Sequence, residues 1–249
     1  TAEAAGPHDG AVDARAAPRS RGVSLKTSVP MMHVWRNVVG VAALVAWFYA
    51  IAHLPLATAM TLNYMSGVWV AAFLIGGTLL LGRIADIRRQ GPLVLAVMAG
   101  FAGVVMMLRP TLDQNQLFAG LIGLLSGLMS ALAYIQVAAL GRVGEPEART
   151  VFYFSLGAAL TGGVGMLFFD MHPLNTVQAL WLLPVGILAA LGQLCLTRAY
   201  SRGSTLVLAH LQYSGIIFSA SFGLLLFGEQ LAPIGWLGMA TIVPSGMTA

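Results

Sequence analysis

Long apolar stretches alternate with short polar breaks along the chain from about residue 37 onwards. Each stretch comes close to the roughly 20 residues that an α-helix needs to cross the hydrocarbon core of a bilayer. Most of the breaks contain Pro or Gly, which commonly mark the ends of helices. The pattern predicts an all-α membrane protein with eight transmembrane helices. They lie at about 37–54, 59–81, 92–108, 117–141, 150–169, 177–200, 205–227 and 231–248.

The composition supports this class and narrows the expected partners. Hydrophobic residues make up 58% of the chain and charged residues only 9%, whereas about a quarter of the residues in a soluble domain are charged. The formal net charge is +4, but the basic residues lie in short segments between apolar stretches rather than on one continuous face. We therefore expect contact with the lipid bilayer and no nucleic-acid partner.

The distribution of basic residues predicts the orientation. Residues 1–36 are polar, contain no apolar core of the kind found in signal peptides, and are interpreted as a hydrophilic cytoplasmic tail. The positive-inside rule then places the tail and alternate loops, and hence both termini, on the cytoplasmic side of a bacterial inner membrane. Arg109 alone falls on the opposite side. The cytoplasmic set is Arg15, Arg19, Arg21, Lys26, Arg36, Arg83, Arg88, Arg89, Arg142, Arg149, Arg198 and Arg202.

The chain also contains an internal repeat. Residues 50–67 can be aligned with residues 199–215, and LLLG at 79–82 then aligns with LLFG at 225–228. The offset of about 149 residues includes five spans, so the second copy crosses the membrane in the opposite sense. Two pairs of equivalent positions are Asn63 with Gln212 and Tyr64 with Tyr213.

The charges around the repeat agree with this inversion. Arg83 follows the first LLLG, whereas Glu229 follows the second copy. Inverted repeats of this kind are typical of secondary transporters. We interpret residues 37–112 as three helices of a first repeat and residues 113–249 as a complete five-helix second repeat. Eight helices of an expected ten would then be present, which predicts an N-terminally truncated sequence.

At the level of motifs, the sequence resembles the EamA family of the drug/metabolite transporter superfamily. The resemblance rests on HVWRNVVGVAALVAWFYAIAHLPLATAMTLNY, the LLLG that follows, and LLLFGEQLAPIGWLGM near the end. It implies ten helices in two inverted five-helix repeats, and movement of small metabolites such as amino acids, nucleotide-like compounds or drugs through a central cavity. The chain departs from the family pattern in lacking two helices and in having Arg83 where the family often has Glu.

Polar side chains inside predicted spans are candidates for the substrate pathway, because they are costly in a bilayer unless they face protein or water. For the tyrosines the alternative is a packing or interfacial role, and for the amides it is a hydrogen bond between helices. His210 is of interest because histidine is the side chain whose ordinary pKa lies close to neutral pH, but a structural hydrogen bond would satisfy it equally well. The candidates are Asn63, Tyr64, Tyr134, Gln136, Gln193, His210, Gln212 and Tyr213.

Other patterns limit the mechanism. Every acidic residue falls outside the predicted spans or at their edges, so we expect no carboxylate relay across the middle of the membrane. Several glycines inside the predicted spans are expected to permit close helix packing. They are Gly100, Gly103, Gly120, Gly123, Gly127, Gly162, Gly163 and Gly165.

Two functions other than transport are considered as alternatives. An intramembrane enzyme would need an activated nucleophile, an acid/base pair or a metal cluster, and the sequence contains none of the corresponding motifs. We therefore expect no enzyme activity, no cofactor and no metal. The other alternative is a truncated, transport-incompetent membrane fragment, since two missing helices would open one side of a central cavity. The sequence leaves a homodimer open.

Overall fold

In the part that the computed structural model describes, the chain consists of α-helices joined by short non-helical segments, and these residues include no strand. That part comprises residues 24–80, 116–168, 175–203, 211–212 and 214–228, with single positions at 95, 99, 102, 205, 208, 233, 236, 237 and 240. The predicted all-α class is therefore confirmed for these residues. The helices are α1 (Pro30–His53), α2 (Leu56–Tyr64), α3 (Ser66–Leu80), α4 (Leu117–Arg142), α5 (Glu147–Phe168), α6 (Thr176–Arg202) and α7 (Ser214–Phe227).

Five segments within the described residues are long and apolar enough to cross a membrane. They correspond to five of the eight predicted spans, so the prediction of a multi-pass membrane protein is supported. The predicted spans at 92–108 and 231–248 fall almost wholly outside the described residues, and the count of eight stays a prediction. The five segments are Pro30–His53, Thr58–Gly77, Leu117–Arg142, Glu147–Phe168 and Ala179–Arg202.

Helix α1 begins earlier than the sequence pattern suggested. Its first turn contains Pro30, a favourable position because the missing N–H of proline would have no partner within the helix there. Residues 30–36, assigned above to the tail, are therefore helical. His33 and Arg36 are buried, which corrects the interpretation of Arg36 as a solvated tail residue.

The second span consists of two helices rather than one. Helix α2 ends at Tyr64, Met65 forms a turn, and α3 begins at Ser66. The backbone N–H of Met65 still donates to the carbonyl oxygens of Thr61 and Leu62, at 3.1 and 3.3 Å. The two helices thus continue each other with a local irregularity where the candidate residues Asn63 and Tyr64 lie.

Helix α4 lies at the centre of the described bundle and contacts α1, α2, α3 and α6. Its inner face is built from small residues, and α2 comes close at two of its glycines. A Cβ at Gly127 would lie 2.6 Å from the carbonyl oxygen of Leu62, and one at Gly123 would lie 2.8 Å from the Leu62 side chain. Close packing is therefore confirmed at these two glycines.

Helices α5 and α6 present a different surface. A Cβ at Gly162, Gly163 or Gly165 of α5 would meet no atom of the described residues within 4 Å, so the described helices do not pack closely at these glycines. Gly100 and Gly103 lie outside the described residues. Large apolar side chains such as Leu160 and Leu188 are mostly exposed along both helices. Such a surface suits contact with lipid tails, which are as apolar as leucine itself.

Polar contacts form a network at one end of the bundle, and we call this region the charged end. It comprises residues 24–29, the 143–146 turn, the start of α5 and the end of α6. Glu145 is buried, accepts a hydrogen bond from the Thr27 hydroxyl, and pairs with Arg149 at 2.7 Å. Arg149 also donates to the backbone oxygen of Ser24. These contacts fasten the segment before α1 to the start of α5.

The carboxyl of Glu145 titrates below its ordinary range. Burial alone raises its pKa, but the hydrogen bonds from Thr27 and Arg149 and the positive charge of Arg149 outweigh this effect and hold the pKa low. Glu147, at the same end, pairs with Arg202 of α6 at 2.7 Å, and Arg202 is largely exposed. Both described carboxylates thus lie at one end of the bundle rather than in its middle.

Candidate functional site

A cavity of about 400 Å³ lies between α1, α2, α4 and α6, with Phe154 of α5 and Gln212 also on its wall. This volume falls at the small end of the range seen for ligand pockets, about 300–1,000 Å³. Apolar residues such as Leu44, Met60 and Leu196 alternate with polar ones around it. An apolar pocket with a few convergent polar groups is the usual form of a site for a small organic molecule.

The structure brings five of the eight candidate residues together on this wall. Gln136 is described but does not line the cavity, and His210 and Tyr213 lie outside the described residues. The five on the wall are Asn63, Tyr64, Tyr134, Gln193 and Gln212.

The side chain of Asn63 links α2 to α4. Its Nδ2 donates to the hydroxyls of Ser126 and Ser130, at 3.0 and 3.3 Å. The Ser126 hydroxyl in turn donates to the backbone oxygen of Gly123. Asn63 therefore has the interhelical role that was the alternative to solute contact, while it also forms part of the cavity wall.

Gln212 connects this region to the second half of the chain. Its Oε1 accepts a hydrogen bond from the Ser66 hydroxyl at 3.4 Å, and it is also a hydrogen-bonding partner of Tyr134. The ring of Tyr134 stacks on Tyr200 of α6, with centroids 4.7 Å apart. Nearby, the hydroxyl of Tyr64 lies against Gly215, where a Cβ would collide with it.

Arg36 is the residue that the sequence analysis missed. It lies on α1 about 9 Å along the axis from Pro30, at 1.5 Å per residue, and it lines the cavity while only 3% exposed. Its guanidinium carbon lies 4.2 Å from the ring centroid of Phe154. Pro30 was the available signal, because a proline typical of a first helical turn moves the helix start upstream and puts Arg36 inside the span.

The guanidinium of Arg36 occupies space that a glycine leaves open. A Cβ at Gly40, one turn along α1, would collide with Nη1. Neither Nε nor Nη1 has a hydrogen-bond partner in the part of the chain that the structure describes. Among the described residues lining the cavity, Arg36 is the one cation, and none is a carboxylate.

The described residues of the cavity wall offer groups that form hydrogen bonds. The described residues contain no group of three or more potential metal ligands. The wall combines neutral amides, hydroxyls and phenols with one guanidinium, and these groups donate and accept hydrogen bonds.

Comparison with known proteins points to one family. Residues 117–246 match the EamA-like transporter family. The pseudopaline exporter of Pseudomonas aeruginosa is 34% identical over 214 residues, covering 85% of this chain and 72% of the exporter. An uncharacterized transporter of Helicobacter pylori is 31% identical over 220 residues, covering 86% of this chain and 71% of that protein.

Two further similarities extend over most of the chain. The riboflavin transporter of Rhizobium johnstonii is 28% identical over 225 residues, covering 90% of this chain and 71% of that transporter. One solved crystal structure superimposes with a TM-score of 0.67 at 19% identity, covering 92% of this chain and 78% of the other. At that identity the similarity shows a shared fold.

Proposed function

Because the chain belongs to the EamA-like transporter family, we propose that it is a secondary transporter that moves a small metabolite across the bacterial inner membrane. The metabolite is an amino acid, a nucleotide-like compound or a drug-like molecule. It passes through a central cavity between two inverted repeats. The observation that carries the proposal is the cavity bounded by α1, α2, α4 and α6, which collects polar residues from distant parts of the sequence.

The repeat supports this role for the cavity. Asn63 and Gln212 are equivalent positions in the aligned copies, and both line the cavity. Each lies beside an interruption of regular helix: the turn at Met65 in one copy, and a turn at Gln212 before α7 in the other. Interrupted helices at the interface between repeats are typical of the binding sites of secondary transporters.

The charged end supports the proposed orientation. It contains Lys26, Arg149 and Arg202. Arg142 ends α4 next to the same turn. Basic residues gathered at one end of the spans favour a cytoplasmic position for that end, and therefore for the segment preceding α1.

A glycine on the cavity wall allows a direct test. A Cβ at Gly192 meets no atom of the described part of the chain within 4 Å, so Gly192→Phe adds a ring at the wall without displacing described neighbours. Gly186 lies on the same helix, has equally open surroundings, and is absent from the cavity wall. Gly186→Phe is therefore a matched control.

The assay is uptake and counterflow in proteoliposomes, with labelled amino acids, nucleosides and riboflavin as probes. We expect the unmodified chain to move at least one probe, Gly192→Phe to reduce its rate about tenfold or more by occupying the cavity, and Gly186→Phe to keep the rate within about twofold. Equal rates in both variants would contradict the central pathway. If the unmodified chain moves no probe, the transport-incompetent alternative is favoured.

A further inference from the structure

The charge state of the cavity carries information about the solute. A guanidinium keeps its charge in proteins, and a charge removed from water is stable only when it is paired and hydrogen-bonded. Arg36 is 3% exposed and, among the described residues, has neither a carboxylate partner nor acceptors for Nε and Nη1. Its contact with the ring of Phe154 at 4.2 Å is a cation–π interaction, which offsets only part of the cost of burying the charge.

The position of Arg36 is prepared by its neighbours. Gly40 leaves the space in which the guanidinium lies, and Phe154 covers one face of it from another helix. Fixing a long side chain in this way reduces the entropy it would lose on binding a ligand. The cavity, which Arg36 lines, is the adjoining space from which an acceptor can complete its hydrogen bonds.

Two other residues on the wall have hydrogen-bonding atoms without partners in the described part of the chain. These atoms are the donor Nε1 of Trp47 and the acceptor Oε1 of Gln193. With Nε and Nη1 of Arg36, the unpartnered atoms on the described wall are three donors and one acceptor. A solute that completes this set needs an anionic acceptor for Arg36 and a donor, such as an ammonium or hydroxyl group, for Gln193.

We propose that the cavity selects a solute bearing a single carboxylate, which Arg36 binds. One guanidinium matches one carboxylate in charge and can bind both of its oxygens. A phosphate monoester carries nearly two negative charges near neutral pH, and the described wall has no second cation to match them. The proposal rests on the proposed function, since it names the class of solute that the transport cavity takes.

The test compares carboxylates with their uncharged counterparts. The probes are the α-amino acids with the corresponding α-amino amides, benzoate with benzamide, and inorganic phosphate. Binding to the purified full chain in detergent is measured by the shift in the thermal midpoint and by tryptophan fluorescence, at concentrations up to about 10 mM. We expect at least one carboxylate to bind about 10- to 100-fold more tightly than its amide, the range for a hydrogen bond to a charged group.

Variants locate this preference at Arg36. We expect Arg36→Gln to reduce the carboxylate-to-amide ratio to about one, and Arg36→Lys to keep part of it, because lysine retains the charge without the planar fork. Gly40→Ala keeps the charge but displaces the guanidinium, so it should lower the ratio in the same direction. Arg142→Gln makes the same chemical change at an exposed site and should leave the ratio unchanged. Size-exclusion elution shows which variants are folded.

Several outcomes would overturn the proposal. They are the absence of binding by every carboxylate in the panel, binding of phosphate alone, and a carboxylate preference that survives in folded Arg36→Gln. The proteoliposome assay separates this failure from that of transport. Solute movement without a carboxylate preference would leave the proposed function standing and remove the inference. Carboxylate binding that depends on Arg36, without solute movement, would support the inference and contradict the proposed function.

Discussion

The charged end and the cavity wall both contain arginines, but the partners of these arginines differ. At the charged end, Arg149 and Arg202 each pair with a carboxylate at 2.7 Å. On the cavity wall, Arg36 has an aromatic ring beside it and no carboxylate among the described lining residues. Paired charges fasten helices to one another, whereas a charge without a carboxylate partner among the described residues is available to a solute. The following substitutions test this difference.

The largest effect is expected from breaking the network at the charged end. Glu145→Ala removes the acceptor for Thr27 and Arg149 and leaves polar groups at a buried position without partners. We expect the free energy of unfolding to fall by about 2 kcal/mol, measured by detergent or thermal unfolding. Glu147→Ala is the control, because its partner Arg202 is 60% exposed and the expected loss is below about 1 kcal/mol. Equal losses would contradict the assignment of the fastening role to Glu145.

A smaller change in the free energy of unfolding, of opposite sign, is expected from replacing Arg36 on the cavity wall. Arg36→Met removes a buried charge while keeping an unbranched side chain that packs well against an aromatic ring. We expect the free energy of unfolding without solute to rise by about 1 kcal/mol, while the carboxylate preference is lost. A clear decrease in stability would show that Arg36 is held in place for structural reasons. Loss of function with gain of stability is the usual sign of a residue retained for its role in a site.

The smallest effect is expected in the pH dependence of the stability that Glu145 contributes. Glu145 has a pKa below its ordinary value of 4.5 in the folded chain, so its contribution to stability is complete above about pH 5. That contribution is lost as the pH falls through the folded value. We expect the stability difference between the unmodified chain and Glu145→Gln to be constant near neutral pH and to narrow below about pH 4.5. A difference that widens under acid would contradict the assigned direction of the shift.

The sequence predicted the helical class and much of the wall because both depend on local patterns. Apolar stretches of spanning length gave the helices, and isolated polar residues within them identified Asn63, Tyr64 and Gln193. Gln136 is not on the wall of this cavity: it and Tyr134 differ by about 200° around the helix axis, so the two side chains lie on different sides of α4. His210 and Tyr213 lie outside the described residues and stay predictions.

The burial of Arg36 was not predicted from the sequence. Charge alone assigned it to the tail, because an arginine next to a polar segment has the usual appearance of a topogenic residue. Its burial depends on where α1 begins and on Phe154, which lies on α5 and far away in the sequence. Contacts between helices that are distant along the chain have no local sequence signature, so the contact of Arg36 with Phe154 could not be predicted.

The central position of α4 has a consequence for the biogenesis of the protein. Among the described helices, α4 is the most extensive neighbour of α1, yet it starts at Leu117, well after α1 ends at His53. At a synthesis rate of about 5–20 residues per second, α1 waits about 3–13 s in the membrane before its neighbour has begun to emerge. Helix α1 therefore spends this interval without its main neighbour, and Phe154, which covers the guanidinium of Arg36, is synthesised later still.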